Sequence, residues 1–128
     1  GGLFRAKTVL NQTPFIQGVY YLIGGLWPLL SIDSFLKVTG PKTDIWLVKT
    51  VGLLLMVIGI SLLISDFRRK TGLENVILGV GVAAALVLVE LVYVFNGTIS
   101  AVYLLDTLLE VLFIAGWFVK GFNSPSTV

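Results

Sequence analysis

The chain has 128 residues, of which 56% are hydrophobic and 12% are charged. A soluble domain carries about 25% charged residues and cannot bury so large an apolar fraction at this length, so the composition excludes a water-soluble fold and indicates a membrane protein. The net charge of +2 and the scattered basic residues exclude a nucleic-acid-binding surface. The sequence has no Cys and no His, which excludes disulfides and thiolate sites and leads us to expect no metal and no cofactor.

Four segments are long and apolar enough to cross a bilayer as α-helices, which takes about 20 residues each. The predicted spans cover residues 15–36, 45–67, 75–95 and 100–120. A kink is expected at Pro28, because proline removes a backbone hydrogen bond. Short connections, among them a tight turn at Gly40-Pro41, force neighbouring helices to run antiparallel. The sequence therefore predicts one all-α domain over residues 1–128, an integral-membrane, up-down-up-down four-helix bundle.

The basic residues predict the orientation, because they are retained on the cytoplasmic side of a membrane. Six of the nine would lie on one side of the predicted spans, namely Arg5, Lys7, Arg68, Arg69, Lys70 and Lys120. The other side would carry Lys37, Lys42 and Lys49. Both termini are therefore expected in the cytoplasm.

Ionisable residues at membrane depth are the main candidates for function, because a charge at the bilayer centre costs about 2.5–3.5 kcal/mol on insertion scales. On the third span, Glu90 shares a helical face with Gly79 and Ala83, a small-xxx-small pair that lets another helix approach closely. On the fourth span, Asp106 and Glu110 are four residues apart, so their side chains are neighbours. All three acidic side chains are predicted to point into the bundle.

Polar and small residues on the first two spans complete a predicted pocket that opens toward the outer face. Its predicted ligand-binding residues are Trp27, Lys49, Glu90, Tyr103, Asp106 and Glu110, with Tyr20 and Ser31 nearby. We expect Lys49 to form an ion pair with Glu90 or Asp106, since an unpaired buried charge is costly. We also expect Glu110 to be protonated at neutral pH, because three clustered carboxyl groups in a low dielectric cannot all ionise cheaply.

These residues support three hypotheses about function. In the leading one, the protein binds or moves a lipophilic or cationic small molecule, held by the carboxylates and by the aromatic rings of Trp27 and Tyr103. In the second it is an enzyme acting on a membrane-dissolved substrate, with Glu90 or Glu110 as general acid and Asp106 as base. In the third it is an accessory subunit or a structural homo-oligomer, since polar side chains in membrane bundles often serve only to fix packing. Membrane lipids are expected partners in all three, and nucleic acids in none.

The first half of the chain contains a further recognisable stretch. It consists of Trp27-Pro28, Ser34-Phe35, Val38-Thr39-Gly40-Pro41-Lys42, Asp44 and the run from Trp46 to Gly52. This stretch resembles that of a group of small, uncharacterised bacterial four-helix inner-membrane proteins. The resemblance implies a bacterial inner-membrane location and a functional emphasis on the outer connection. A looser, architectural resemblance is to the emopamil-binding-protein-like (EXPERA) sterol-handling proteins, which enclose membrane-embedded carboxylates in a small helical bundle.

Overall fold

The computed structural model describes residues 12–68 and 72–123. Over these residues the chain is all-helical and has no strand, which confirms the predicted fold class at that level. The five described helices are α1 (Thr13–Leu30), α2 (Ile32–Thr39), α3 (Ile45–Phe67), α4 (Leu73–Phe95) and α5 (Tyr103–Asn123). Of the basic residues that predict the orientation, Arg5, Lys7, Arg69 and Lys70 lie outside the described residues.

Two of these helices, α3 and α4, are long and apolar enough to cross a membrane, each with 23 residues. Their outward sides carry exposed aliphatic side chains, such as Val57 (64% exposed) and Leu88 (64% exposed), which lipid would cover. Among the described residues the number of such spans is two, or three if the bent pair of α1 and α2 is one span. The prediction was four. The 21-residue α5 differs because it carries the charged side chains of Asp106, Glu110 and Lys120.

The first predicted helix is broken, not kinked. α1 runs through Pro28 to Leu30, and α2 then leaves at an angle of 113°. Ser31, at the break, has φ −149° and ψ 80°, and its N–H closes the last turn of α1 on the carbonyl of Trp27 at 2.9 Å. The indole Nε1 of Trp27 donates to Ser34 Oγ at 2.9 Å across the bend. These local hydrogen bonds fix the change of direction beyond the proline.

Glycines make both of the described connections between long helices. Gly40 has φ 100° and Gly97 has φ 83°, a backbone region that other residues rarely adopt. Gly40 ends α2 and the bend of this connection lies at Thr43, so the tight turn predicted at Gly40-Pro41 is not seen there. α3 begins at Ile45, as its predicted range has it. We call the end of the molecule that carries the 40–44 and 96–102 connections the loop end.

Close approach of two backbones joins α1 to α3. A Cβ added to Gly25 would lie 2.3 Å from the carbonyl oxygen of Gly52, and one added to Gly59 would lie 2.6 Å from that of Gly18. On each helix the two glycines are seven residues apart, which keeps them on one seam. Gly18 pairs with Gly59 and Gly25 pairs with Gly52, so the two helices run antiparallel. We call α1 and α3 the N-terminal pair.

The second close pair is α4 with α5, which also run antiparallel. Gly79 of α4 accommodates the indole of Trp117, since a Cβ there would lie 2.3 Å from Trp117 Nε1. Nearer the loop end, Thr107 Oγ1 of α5 donates to Glu90 Oε1 of α4 at 3.0 Å. We call α4 and α5 the C-terminal pair. The contact between the two pairs is sparser and runs from α1 to α5 and from α3 to α4.

Candidate functional site

Buried polar side chains of three helices meet where the N-terminal pair contacts the C-terminal pair. Within a largely apolar chain, this is where α1 faces α4 and α5. The side chains that meet are Tyr20, Tyr21, Glu90, Asp106 and Glu110, which we call the acid cluster. Glu90 is 5% exposed and Glu110 is 1% exposed, whereas Asp106, in the first turn of α5, is half-buried. The cluster is thus deepest at Glu110 and nearest the loop end at Asp106.

Tyrosine hydroxyls of α1 are the donors that hold the acidic side chains of α5. Tyr20 donates to Asp106 Oδ1, and Tyr21 donates to Glu110 Oε1 at 2.6 Å. Asp106 and Glu110 are four residues apart on α5, so their side chains are neighbours on one face of the helix. Ionised carboxylates have no donor, so two neighbouring acids can hydrogen-bond each other only when one of them carries a proton. The arrangement is therefore one that can hold and pass protons.

A second layer of hydrogen bonds lies below the acid cluster, away from the loop end. The Nε2 of Gln17 donates to the Tyr21 hydroxyl and to the Gly79 carbonyl, both at 3.0 Å. Its Oε1 accepts from Trp117 Nε1 at 2.7 Å. Gln17 is fully buried, and both ends of its amide are satisfied. This layer joins α1, α4 and α5 and holds Tyr21 in position for Glu110.

Glu110 has one oxygen that the protein leaves unsatisfied. Its Oε1 accepts from Tyr21, but Oε2 is buried and has no hydrogen-bond partner among the described residues. Most buried polar atoms in proteins have a partner, so an orphaned carboxyl oxygen in a buried cluster indicates a place for a proton or a ligand. Asp106 lies one turn before Glu110 on the same helix.

The structure brings together the three acidic residues of the predicted pocket and separates its aromatic ones. Trp27 lies at the bend between α1 and α2, where its ring meets that of Phe35 edge to face at 5.2 Å. Tyr103 lies at the loop end, with its ring 5.2 Å from the ammonium group of Lys42. Neither belongs to the acid cluster.

Lys49 does not have the predicted partners. Its side chain is exposed, and the hydrogen bonds to Glu90, Asp106 and Glu110 come from tyrosine and threonine hydroxyls. The expected ion pair is therefore wrong. The physical reason is that α3 uses its glycine seam against α1, while Lys49, one turn from the start of α3, extends to the surface as a long cationic side chain can.

Lys42 is the basic side chain that the fold engages at the loop end. Its Nζ donates to Thr39 Oγ1 at 2.8 Å and to the Gly40 carbonyl at 3.2 Å. The same group lies 5.2 Å from the ring centres of Phe35 and Tyr103, within the range of a cation–π contact. Lys42 thus ties α2 and its connection to the first turn of α5.

Sequence reasoning missed Tyr21 and Thr107. The pattern of polar and small residues on the first span predicts an inward face of Gln17, Tyr20, Gly24, Trp27 and Ser31. The structure buries Gln17 as predicted, but the buried face continues through Tyr21, Gly25 and Pro28. One signal in the sequence could have identified this face. Gly18 and Gly25 on the first span are seven residues apart, as are Gly52 and Gly59 on the second, which indicates that these two faces pack together. Thr107 carries no such signal, because its role depends on the register between α4 and α5.

The described residues contain no group of three acidic side chains placed to hold a metal ion. Comparison of the chain with models of protein families, with curated proteins and with solved structures finds no match. The resemblances drawn from the sequence therefore stay predictions.

Proposed function

We propose that this membrane protein binds a lipophilic organic cation at the acid cluster and moves it within or across the bilayer. One observation carries the proposal. Three carboxyl groups converge between two helix pairs, and the hydrogen bonds that the described residues give them come from hydroxyl groups, not from Lys or Arg. In a low dielectric, uncompensated acidic groups attract a positive charge strongly.

The surroundings of the cluster favour an organic cation over a bare ion. The rings of Tyr20, Tyr21 and Phe113 lie together beside the carboxyl groups, with centres 5.7–6.2 Å apart. Aromatic faces stabilise an organic cation and also accept its apolar substituents.

The membrane arrangement that fits this proposal has four crossings. α5 lies antiparallel beside α4, a helix able to span, and the two are in contact near both ends of α5, through Gly79 with Trp117 and through Glu90 with Thr107. These contacts support a common depth for the two helices. α1 is matched to α3 in the same way by the glycine seam. With both termini cytoplasmic, in a bacterial inner membrane, the loop end and the half-buried Asp106 would face outward.

The contacts favour this function over the two alternatives. An enzyme that uses one carboxyl as acid and another as base needs both free to reach a substrate, whereas one oxygen of each carboxyl already accepts from a hydroxyl of Tyr20, Tyr21 or Thr107. A homo-oligomer held by small residues needs them on the outside, whereas Gly52, Gly59 and Gly79 are used within the chain.

A binding measurement tests the proposal. Purified protein in lipid nanodiscs is titrated with tetraphenylphosphonium, a lipophilic cation, by calorimetry. Glu110→Gln and Asp106→Asn should each weaken binding at least tenfold, which corresponds to about 1.4 kcal/mol. Glu74→Gln, an exposed glutamate on the same helix pair, is the matched control and should bind as the unaltered protein does. Equal binding by Glu110→Gln and Glu74→Gln would contradict the proposal.

A further inference from the structure

Two observations meet at Glu110. One of its carboxyl oxygens is buried with no partner among the described residues, and Asp106 lies one turn away on the same helix. The hydrogen bonds that the described residues give these two acids come from tyrosine hydroxyls, so they bring no positive charge to the pair. Two neighbouring carboxyl groups in a low dielectric cannot both ionise cheaply, so a proton on Glu110 balances the pair when no cation does.

We infer that a cation binding at the acid cluster displaces a proton carried by Glu110, so that the protein exchanges one organic cation for one proton. This inference rests on the proposed function and adds that binding of the cation is coupled to release of a proton. The exchange breaks no covalent bond between heavy atoms and needs no redox partner. The protonated cluster and a cation give the cation-bound cluster and one released proton, so that charge balances on both sides.

The groups that face Glu110 support a one-for-one exchange. They are Tyr20 and Tyr21 from α1, Glu90 from α4, and Asp106 on its own helix. None of them is cationic, so no neighbour can neutralise a second negative charge when a proton leaves. A cluster that lost its proton without gaining a cation would bury an uncompensated charge at membrane depth, which is costly. The two positive species therefore compete for one place.

The depth of the residues indicates the route of the proton. Glu110 is 1% exposed, while Asp106 lies in the first turn of α5, is half-buried and accepts from Tyr20, which is also half-buried. A proton leaving Glu110 therefore meets Asp106 before it meets solvent, and the exit is toward the loop end. Gln17, on the opposite side of Tyr21, has an amide in place of an acid and does not continue a chain of titratable groups.

The test measures protons and binding in one sample. Tetraphenylphosphonium is added to the nanodisc-embedded protein in weakly buffered solution containing a pH indicator dye, and calorimetry gives the amount bound. About one proton should be released per cation bound, and the affinity should rise about tenfold for each unit increase in pH while the cluster is protonated. Triphenylphosphine oxide, an uncharged analogue, should release none.

The outcomes separate the coupling from binding itself. Binding with no proton release and an affinity independent of pH would overturn the exchange and leave the proposed function in place. No binding would overturn both. Asp106→Asn serves beside Glu110→Gln in case one variant fails to fold. Any residual binding by either should be uncoupled from proton release, and residual binding that still releases one proton would overturn the assignment to this pair.

Discussion

Replacing Glu110 by Gln is the most informative single change, because it separates a neutral, ligand-binding acid from an ionised, structural one. Glu110 is 1% exposed and accepts from the Tyr21 hydroxyl at 2.6 Å. Gln is nearly isosteric with a protonated Glu, keeps an acceptor for Tyr21 and presents NH₂ where the orphaned oxygen lies. If Glu110 is neutral in the unliganded protein, the hydrogen-bond pattern is preserved.

The expected magnitudes follow from the hydrogen bonds involved. A side-chain hydrogen bond between membrane helices contributes about 0.6 kcal/mol on average, so Glu110→Gln should change the free energy of unfolding by less than about 1 kcal/mol. Glu110→Ala instead leaves the Tyr21 hydroxyl without its buried acceptor, a cost of about 1–3 kcal/mol, and adds a cavity. The two variants should therefore differ clearly in stability while both lose binding of the cation.

The assay is thermal unfolding of the purified protein in nanodiscs, with and without tetraphenylphosphonium. Unaltered protein should be stabilised by the cation, since a ligand that binds only the folded state raises its stability. Glu110→Gln should unfold at nearly the original temperature and gain nothing from the cation. If Gln destabilises as much as Ala, then Glu110 is ionised and paired, and our reasoning about a neutral acid is wrong. If Gln alters neither stability nor binding, Glu110 serves packing only.

Three further predictions address packing, the loop end and orientation. Gly25→Ala should destabilise the protein by about 1–3 kcal/mol, because its Cβ would meet a backbone oxygen at 2.3 Å, whereas Gly24→Ala, with no atom within 4 Å, should be neutral or slightly stabilising in thermal unfolding. Lys42→Met should lower the free energy of unfolding by about 1 kcal/mol, because it removes the cation from two aromatic rings. It should also raise the rate of amide hydrogen exchange in the 40–44 connection, and an unchanged rate would contradict this. In this cysteine-free chain, Thr43→Cys should react with an impermeant maleimide added from the periplasmic side, and Arg68→Cys should react only from the cytoplasmic side. The reverse result would contradict the proposed orientation.

The long apolar helices could be predicted from sequence because their pattern leaves few alternatives. α3 and α4 are apolar over most of their length, and about 20 such residues in succession fit a bilayer and little else. The inward direction of Glu90, Asp106 and Glu110 follows from the same physics, since a carboxyl facing lipid is costly. These inferences depend on the energy of a single helix in a membrane and need no knowledge of its neighbours.

What could not be predicted depends on contacts between helices. Lys49 was expected to neutralise the acidic residues, but hydroxyl groups of α1 satisfy them instead, and a sequence does not show which of two available partners is nearer. Tyr20 and Tyr21 are adjacent, so a small rotation of α1 determines which of them lies deeper. Pro28 indicated a change of direction, yet the bend occurs at Ser31, where side-chain hydrogen bonds from Trp27 and Ser34 fix it.

The glycine seam has a consequence for biogenesis. Contact between α1 and α3 rests on backbone approach and needs nothing from the rest of the chain, so the N-terminal pair can assemble in the bilayer while the later helices are still being synthesised. The C-terminal pair emerges with Asp106 and Glu110 lacking their hydroxyl donors, and it gains them only by docking against α1. Until then two acidic side chains face lipid at a cost, which makes the undocked intermediate short-lived and a natural target for membrane proteases. The hydrogen bonds that form the site would thus also stabilise the correctly docked protein over the undocked intermediate.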